Sequence, residues 1–97
     1  MIITGSKIVE DFCKKHPDAE KALAKWVDDV TSADWKNHND LKNSYSSADY
    51  VGNSRYIFHI KGNHYRLVVV VIFFAGTVDV RFVGTHSDYD KVNVKNI

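Results

Sequence analysis

The residues best suited to chemistry lie near the end of the chain, in the stretch Thr85–Val92, THSDYDKV. His86 is followed three residues later by Tyr89 and then by Asp90, while Arg66 opens the apolar run RLVVVVIFF. Imidazole exchanges protons near neutral pH, its ordinary pKa being about 6.5. A guanidinium keeps its charge and presents a planar fork of N–H donors that matches two phosphate oxygens. Together these groups suit cleavage of an RNA phosphodiester without a metal. That reaction must deprotonate a 2′-OH, stabilise negative charge on the phosphate and protonate the departing 5′-oxygen. Positioned acid–base groups contribute about 10²–10⁴-fold to such steps. On this reading Arg66 holds phosphate, His86 acts as acid or base, and Tyr89 donates a proton or stacks on a base. A plainer reading stands beside it: Thr85–Asp90 is also what a strand end followed by a helical turn, capped by Ser87 or Asp88, would look like.

The elements that must position these groups follow from hydrophobic period. From Arg55 onward the period is two: RYIFHIK, then GN, HYRLVVVVIFF, AG and TVDVRFVG. Three antiparallel strands joined by short hairpins account for this. Two-residue loops at Gly62–Asn63 and Ala75–Gly76 set His59 opposite Arg66, Ile60 opposite Tyr65, Val69 opposite Phe82 and Arg66 opposite Thr85. Tyr56, Phe58, Ile60, Leu67, Val69, Val71, Phe73, Val78, Val80 and Phe82 then share one face, which a one-residue slip would destroy. The other face gathers His59, Lys61, His64 and Arg66 at the end where His86 leaves the third strand. Directly paired residues have Cβ atoms about 4.5–5.5 Å apart, so the cluster is close. Lys61, His59, His64 and Arg81 are the candidate RNA contacts. The same register leaves Ile57, Val68, Val70, Ile72 and Val83 as an apolar outer patch that something must cover, either the tail VNVKNI or a partner.

Upstream, MIIT reads as a short edge strand and Ser6 as the N-cap of a helix carrying Ile8, Val9, Phe12 and Cys13 at helical spacing. Pro17 ends that helix and suits the first turn of the next, whose stripe is Ala19, Ala22, Leu23, Trp26, Val27 and Val30. Residues 31–54 are the least regular; Trp35, Leu41, Tyr45 and Tyr50 suggest a segment packed over the core, with a short helical turn near Asp40–Asn43. The fold class expected is α+β: an N-terminal helix hairpin packed on a three- to four-stranded antiparallel sheet, in one domain over residues 1–97.

The bulk numbers exclude several classes. The net charge of +1 argues against coating nucleic acid by charge alone. Its distribution is uneven: residues 1–54 carry 7 Lys/Arg against 9 Asp/Glu, and residues 55–97 carry 6 against 3. A basic second half makes a local anion site feasible. The lone Cys13 excludes an internal disulfide and an all-cysteine metal site, so a reducing cytoplasm is expected. Leu67–Phe74 is too short to span a bilayer, and no basic-then-apolar leader is evident. Histidines on neighbouring strands are also a zinc pattern, but Lys61 and Arg66 would repel the ion, so no metal or cofactor is expected.

The motifs GNHYRL and VGTHSDYDKV, with SSADYVG at residues 46–52, resemble those of HigB-type toxins, bacterial mRNA interferases of the RelE-like superfamily. The resemblance implies helices on an antiparallel sheet and metal-independent, ribosome-dependent cleavage of translated mRNA. It also implies a cognate helix-turn-helix antitoxin, HigA-like, that inhibits the toxin. Carried over by position, Arg66 matches the family's arginine after the hairpin, and His86, Tyr89 and Asp90 match its Thr-His-x-x-Tyr-Asp ending. Lys61 is compatible with the pattern. His59 stands where the family is expected to carry a small polar residue. The competing reading is a non-catalytic module of the same fold that binds an antitoxin or RNA without cutting it.

Overall fold

A computed structural model describes residues 1–97. The chain runs β1 (Ile2–Thr4), α1 (Ser6–Lys15), a 3-10 turn (Pro17–Ala19), α2 (Glu20–Ser32), α3 (His38–Ser44), β2 (Asp49–Gly52), β3 (Arg55–Ile60), β4 (Tyr65–Ile72), β5 (Thr77–Thr85) and α4 (His86–Tyr89). The strands form one sheet in the order β1-β5-β4-β3-β2. The α+β class holds, but the sheet has five strands and is mixed, because β1 pairs parallel to β5. MIIT is the edge strand expected, but its parallel pairing and the strand β2 were not legible in sequence, for a physical reason. A three-residue strand has no period to read, and β2 pairs with β3 across a bulge between Tyr50 and Gly52.

The first hairpin has the expected register, with His59 opposite Arg66 and Ile60 opposite Tyr65. The second does not. Its loop spans Phe73–Gly76, so Ile72 pairs with Thr77 and Val69 with Val80. A bulge between Val68 and Val69 then leaves Arg81 unpaired, and beyond it Val68 pairs with Phe82 and Leu67 with Val83. One extra residue inverts the alternation. Val83 therefore joins the core cluster with Leu67, Val69, Val71, Val78 and Val80, while Phe82 turns to the outer face. Their expected places are exchanged.

The helices cover the inner face. Leu23, Trp26 and Val30 of α2 and Val9 and Phe12 of α1 are buried against it, with Trp35 and Leu41 closing the side. Trp26 meets Phe58 edge-on at 5.5 Å between ring centroids. The outer face is not the bare apolar patch expected from register. Ile57, Val68 and Val70 are buried within the chain itself. Short α4 packs on β5 and β4, and the segment after it is tied back by Asn53 Nδ2–H to the Lys95 carbonyl (2.9 Å) and Arg55 Nη2–H to the Ile97 oxygen (2.7 Å).

The cap of α1 is Gly5 rather than Ser6, and Gly5 has φ +75° with no side-chain cap. A Cβ there would sit 2.6 Å from the Val80 carbonyl oxygen. Left-handed backbone costs an L-residue about 1–2 kcal/mol, and the clash adds to it. Gly5→Ala is therefore expected to cost about 2 kcal/mol or more and to lower Tm by roughly 10 °C in a scanning calorimeter. Gly76→Ala is the comparison, since Gly76 has φ +68° but nothing within 4 Å of its Cβ position. A Gly5→Ala loss no larger than that of Gly76→Ala would show that close packing of β5 under Gly5 is unimportant.

Candidate active site

On the outer face, neighbouring strands set side chains in a row. Asp49 pairs with Ile57, two residues before His59 and on the same face of β3, and His59 pairs with Arg66 on β4. Arg66 in turn faces Gly84 on β5. The missing side chain at Gly84 is what lets the next element approach. A Cβ there would lie 2.6 Å from Phe82 Cζ and 2.9 Å from Asp88 Cβ. Over this gap α4 carries Tyr89 onto Arg66, whose guanidinium carbon is 4.6 Å from the ring centroid. Such a stack contributes about 0.5–2 kcal/mol and holds the guanidinium plane in place.

Helix α4 exists because Thr85 caps it. Asp88 N–H donates to Thr85 Oγ1 (3.2 Å) and Thr85 N–H donates to Asp88 Oδ2 (3.3 Å), a reciprocal capping box. The cap is thus Thr85, not Ser87 or Asp88 as expected from sequence; Asp88 instead closes the box from inside the helix. The box orients His86, whose Nε2–H donates to the Asn63 carbonyl in the first hairpin. A carbonyl oxygen can only accept, so in the neutral ring Nδ1 carries the lone pair. His64 is the mirror case, its Nδ1–H donating to the Lys61 carbonyl at 2.8 Å. Asn63, His64, Thr85, His86 and Ser87 line an open cleft of about 410 Å³.

The cations sort themselves by their carboxylates. Lys61, expected beside Arg66, instead reaches Asp18 on the helix side at 2.8 Å. It has φ +53°, which turns its side chain away from the row. Arg81 occupies the bulge and pairs with Asp79 at 2.7 Å, so it stands apart from the cluster and is neutralised. His59 is held by Asp49, Nε2 to Oδ2 at 2.9 Å, with its side chain 19% exposed. Arg66 has no carboxylate partner, and its Nε has no hydrogen-bond partner in the protein. That Nε is buried, whereas the two Nη groups reach solvent and make no hydrogen bond within the protein; with Tyr89 against the guanidinium, the Nη end is the part an anion can meet. Asp90 serves the backbone, its N–H donating to the His86 carbonyl at 3.0 Å. No three His, Cys, Asp or Glu side chains form a group able to hold a metal ion.

Asp49, Asn63 and Gly84 were not singled out from sequence. The first lies in the irregular segment, the second acts through its backbone, and the third matters only through the bulge. Gly84→Ala tests the close approach. It should leave β3 and β4 intact but push α4 outward and lift Tyr89 off Arg66. Hydrogen exchange should accelerate at residues 86–92 and remain slow in β3 and β4. Unchanged exchange throughout would mean that α4 does not depend on the gap.

Comparison with known proteins identifies the family. A family model described as HigB_toxin, RelE-like toxic component of a toxin-antitoxin system, matches residues 19–92. The mRNA interferase toxin HigB of Escherichia coli (strain K12) is 28% identical over 93 residues, covering 93% of this chain and 88% of its own length. Proteins called mRNA interferase HigB from Escherichia coli O157:H7 and Shigella flexneri match to the same extent. The matched region takes in β2–β5 and α4, the elements that assemble Arg66, His86 and Tyr89. The chain belongs to the HigB toxin family, the RelE-like toxic components of toxin–antitoxin systems.

Proposed function

We propose that this toxin is an endoribonuclease that cuts translated mRNA on the ribosome, with Arg66, His86 and Tyr89 as its catalytic groups. The similarity to proteins named mRNA interferases supports the reaction class. The observation that carries the assignment of residues is Arg66, stacked on one face by Tyr89 and free of any carboxylate. Its Nη–H groups donate bidentately to a phosphate and balance the charge that develops as the 2′-oxygen attacks phosphorus. His86, with Nε2–H committed to Asn63, uses Nδ1 to take the 2′-OH proton. Tyr89 gives its phenolic proton to the departing 5′-oxygen. The bond from phosphorus to that oxygen breaks as the 2′-oxygen bond forms, leaving a 2′,3′-cyclic phosphate and a 5′-OH. No step calls for a metal.

His64 and His59 flank this centre as RNA contacts, whereas Lys61 and Arg81 reach RNA only by leaving Asp18 and Asp79. A helix-turn-helix, HigA-like antitoxin is the partner expected of the toxin, and the cytoplasm, where mRNA is translated, is its place of action. No helix is long and apolar enough to cross a membrane.

Induction in bacteria with 5′-end mapping of transcripts tests the reaction. Growth arrest and new ends within translated regions are expected; intact transcripts at full soluble expression would favour a non-catalytic binding module. Arg66→Lys, which keeps charge but loses the fork, should reduce cleavage sharply. His86→Gln should cost about 10²-fold or more. A large loss in Tyr89→Phe identifies proton donation, while loss confined to Tyr89→Ala identifies stacking. Parental rates in His86→Gln would remove His86 from the chemistry.

A further inference from the structure

The proton-transfer nitrogen of His86 depends on a backbone carbonyl at a hairpin tip, and hairpin tips are ordinarily mobile. This one is gripped from the far side of the sheet. Asp18, in the 3-10 turn between α1 and α2, accepts from Lys61 Nζ at 2.8 Å and from Tyr65 O–H at 2.8 and 2.9 Å. Those two residues bracket the tip Gly62–Asn63–His64. Tyr65 is itself wedged edge-on against Phe12 (5.1 Å) and His16 (5.4 Å), so its hydroxyl is delivered to Asp18 by a packed ring. Lys61 and Gly62 both have positive φ. Positive φ at these positions is the backbone of the tight turn closed by His64 N–H donating to the Lys61 carbonyl at 3.2 Å, and the Asp18 ion pair holds the lysine side chain at the base of that turn.

The consequence reaches both imidazoles of the cleft. The Lys61 carbonyl accepts from His64 Nδ1–H and the Asn63 carbonyl accepts from His86 Nε2–H. The hairpin therefore holds two histidines in opposite tautomers, and Asp18 holds the hairpin. Nothing in the site itself requires Asp18, which touches neither ring.

We propose that Asp18 is a positioning residue for the cleavage site: through Lys61 and Tyr65 it fixes the β3–β4 hairpin, and so keeps Nδ1 of His86 as the proton acceptor. The proposal rests on the endoribonuclease reading for its consequence in rate, but the tautomer it specifies is a property of the folded protein alone. The hydrogen bonds from Lys61 and then Tyr65 also hold the Asp18 carboxyl below its usual range, so the anchor is charged at neutral pH.

The chain supplies its own control. Asp29 accepts from Lys25 (2.7 Å) and Tyr45 (2.6 Å), the same lysine–tyrosine grip at a place remote from the cleft. The test is long-range 1H–15N correlation of the imidazoles in the parent, Asp18→Asn and Asp29→Asn proteins, alongside their cleavage rates on translating ribosomes. The parent should show His86 protonated at Nε2 and His64 at Nδ1. Asp18→Asn should move the nitrogens of both rings toward averaged positions and lower the cleavage rate about tenfold or more with unchanged ribosome binding. Asp29→Asn should leave both rings as in the parent. Should Asp18→Asn fail to fold, Tyr65→Phe removes half the grip while keeping the packed ring, and should shift the same signals. Parental His86 signals in a folded Asp18→Asn or Tyr65→Phe protein would overturn the proposal, as would equal shifts in Asp29→Asn. A parent with the specified tautomers and no cleavage would instead defeat the endoribonuclease reading.

Discussion

A single unpaired residue in β5 sets the geometry on which the site depends. Up to Val80 the strand alternates in step with β4; past Arg81 it is out of step by one. Without the bulge, Phe82 would fill the core and Val83 would face outward. With it, Val83 packs inside and Gly84, the one residue with no side chain, falls opposite Arg66. A helical turn can then lie close against the sheet, capped by Thr85, and carry Tyr89 onto the guanidinium. Bulges re-aim side chains at the ends of strands, and here the re-aimed element is the whole of α4.

Charge is arranged by subtraction. The second half of the chain is basic, yet most of its cations near the sheet are claimed. Asp18 takes Lys61 and Asp79 takes Arg81, while Asp49 is occupied by the His59 ring. Arg55 donates to the backbone at Asn53 and Ile97. What remains is Arg66, with an aromatic ring on its face and no counter-charge. An isolated cation at low net charge is a different device from a broad basic surface. It offers little general attraction for RNA and concentrates what there is at one phosphate.

The partition between sequence and tertiary structure follows the range of the interactions. The β3–β4 hairpin was legible because its register follows from local facts: the alternation of RYIFHIK, the alternating start HYRL of the otherwise apolar partner strand, and a Gly-Asn tip. The helices were legible from their stripes, and His86 and Tyr89 stood out by residue type and spacing. Local pattern carried the α+β class and the first hairpin with His59 opposite Arg66, and it picked out Arg66, His86 and Tyr89 only as residue types suited to a phosphodiester.

The places of Phe82 and Val83 were not legible, because a bulge and a four-residue loop in the second hairpin are settled by which face packs better once the helices are in place. The parallel pairing of β1 with β5 joins residues 75 positions apart in sequence, beyond any local pattern. Lys61 looked like a site residue because hairpin register put it beside Arg66; a carboxylate from another layer, and a positive φ at its own backbone, drew it away. Local period reports which face a residue prefers, but the partner that claims its charge is supplied by the fold. Tertiary structure alone decided that Arg66 would be left without a counter-charge and that Tyr89 would rest on it.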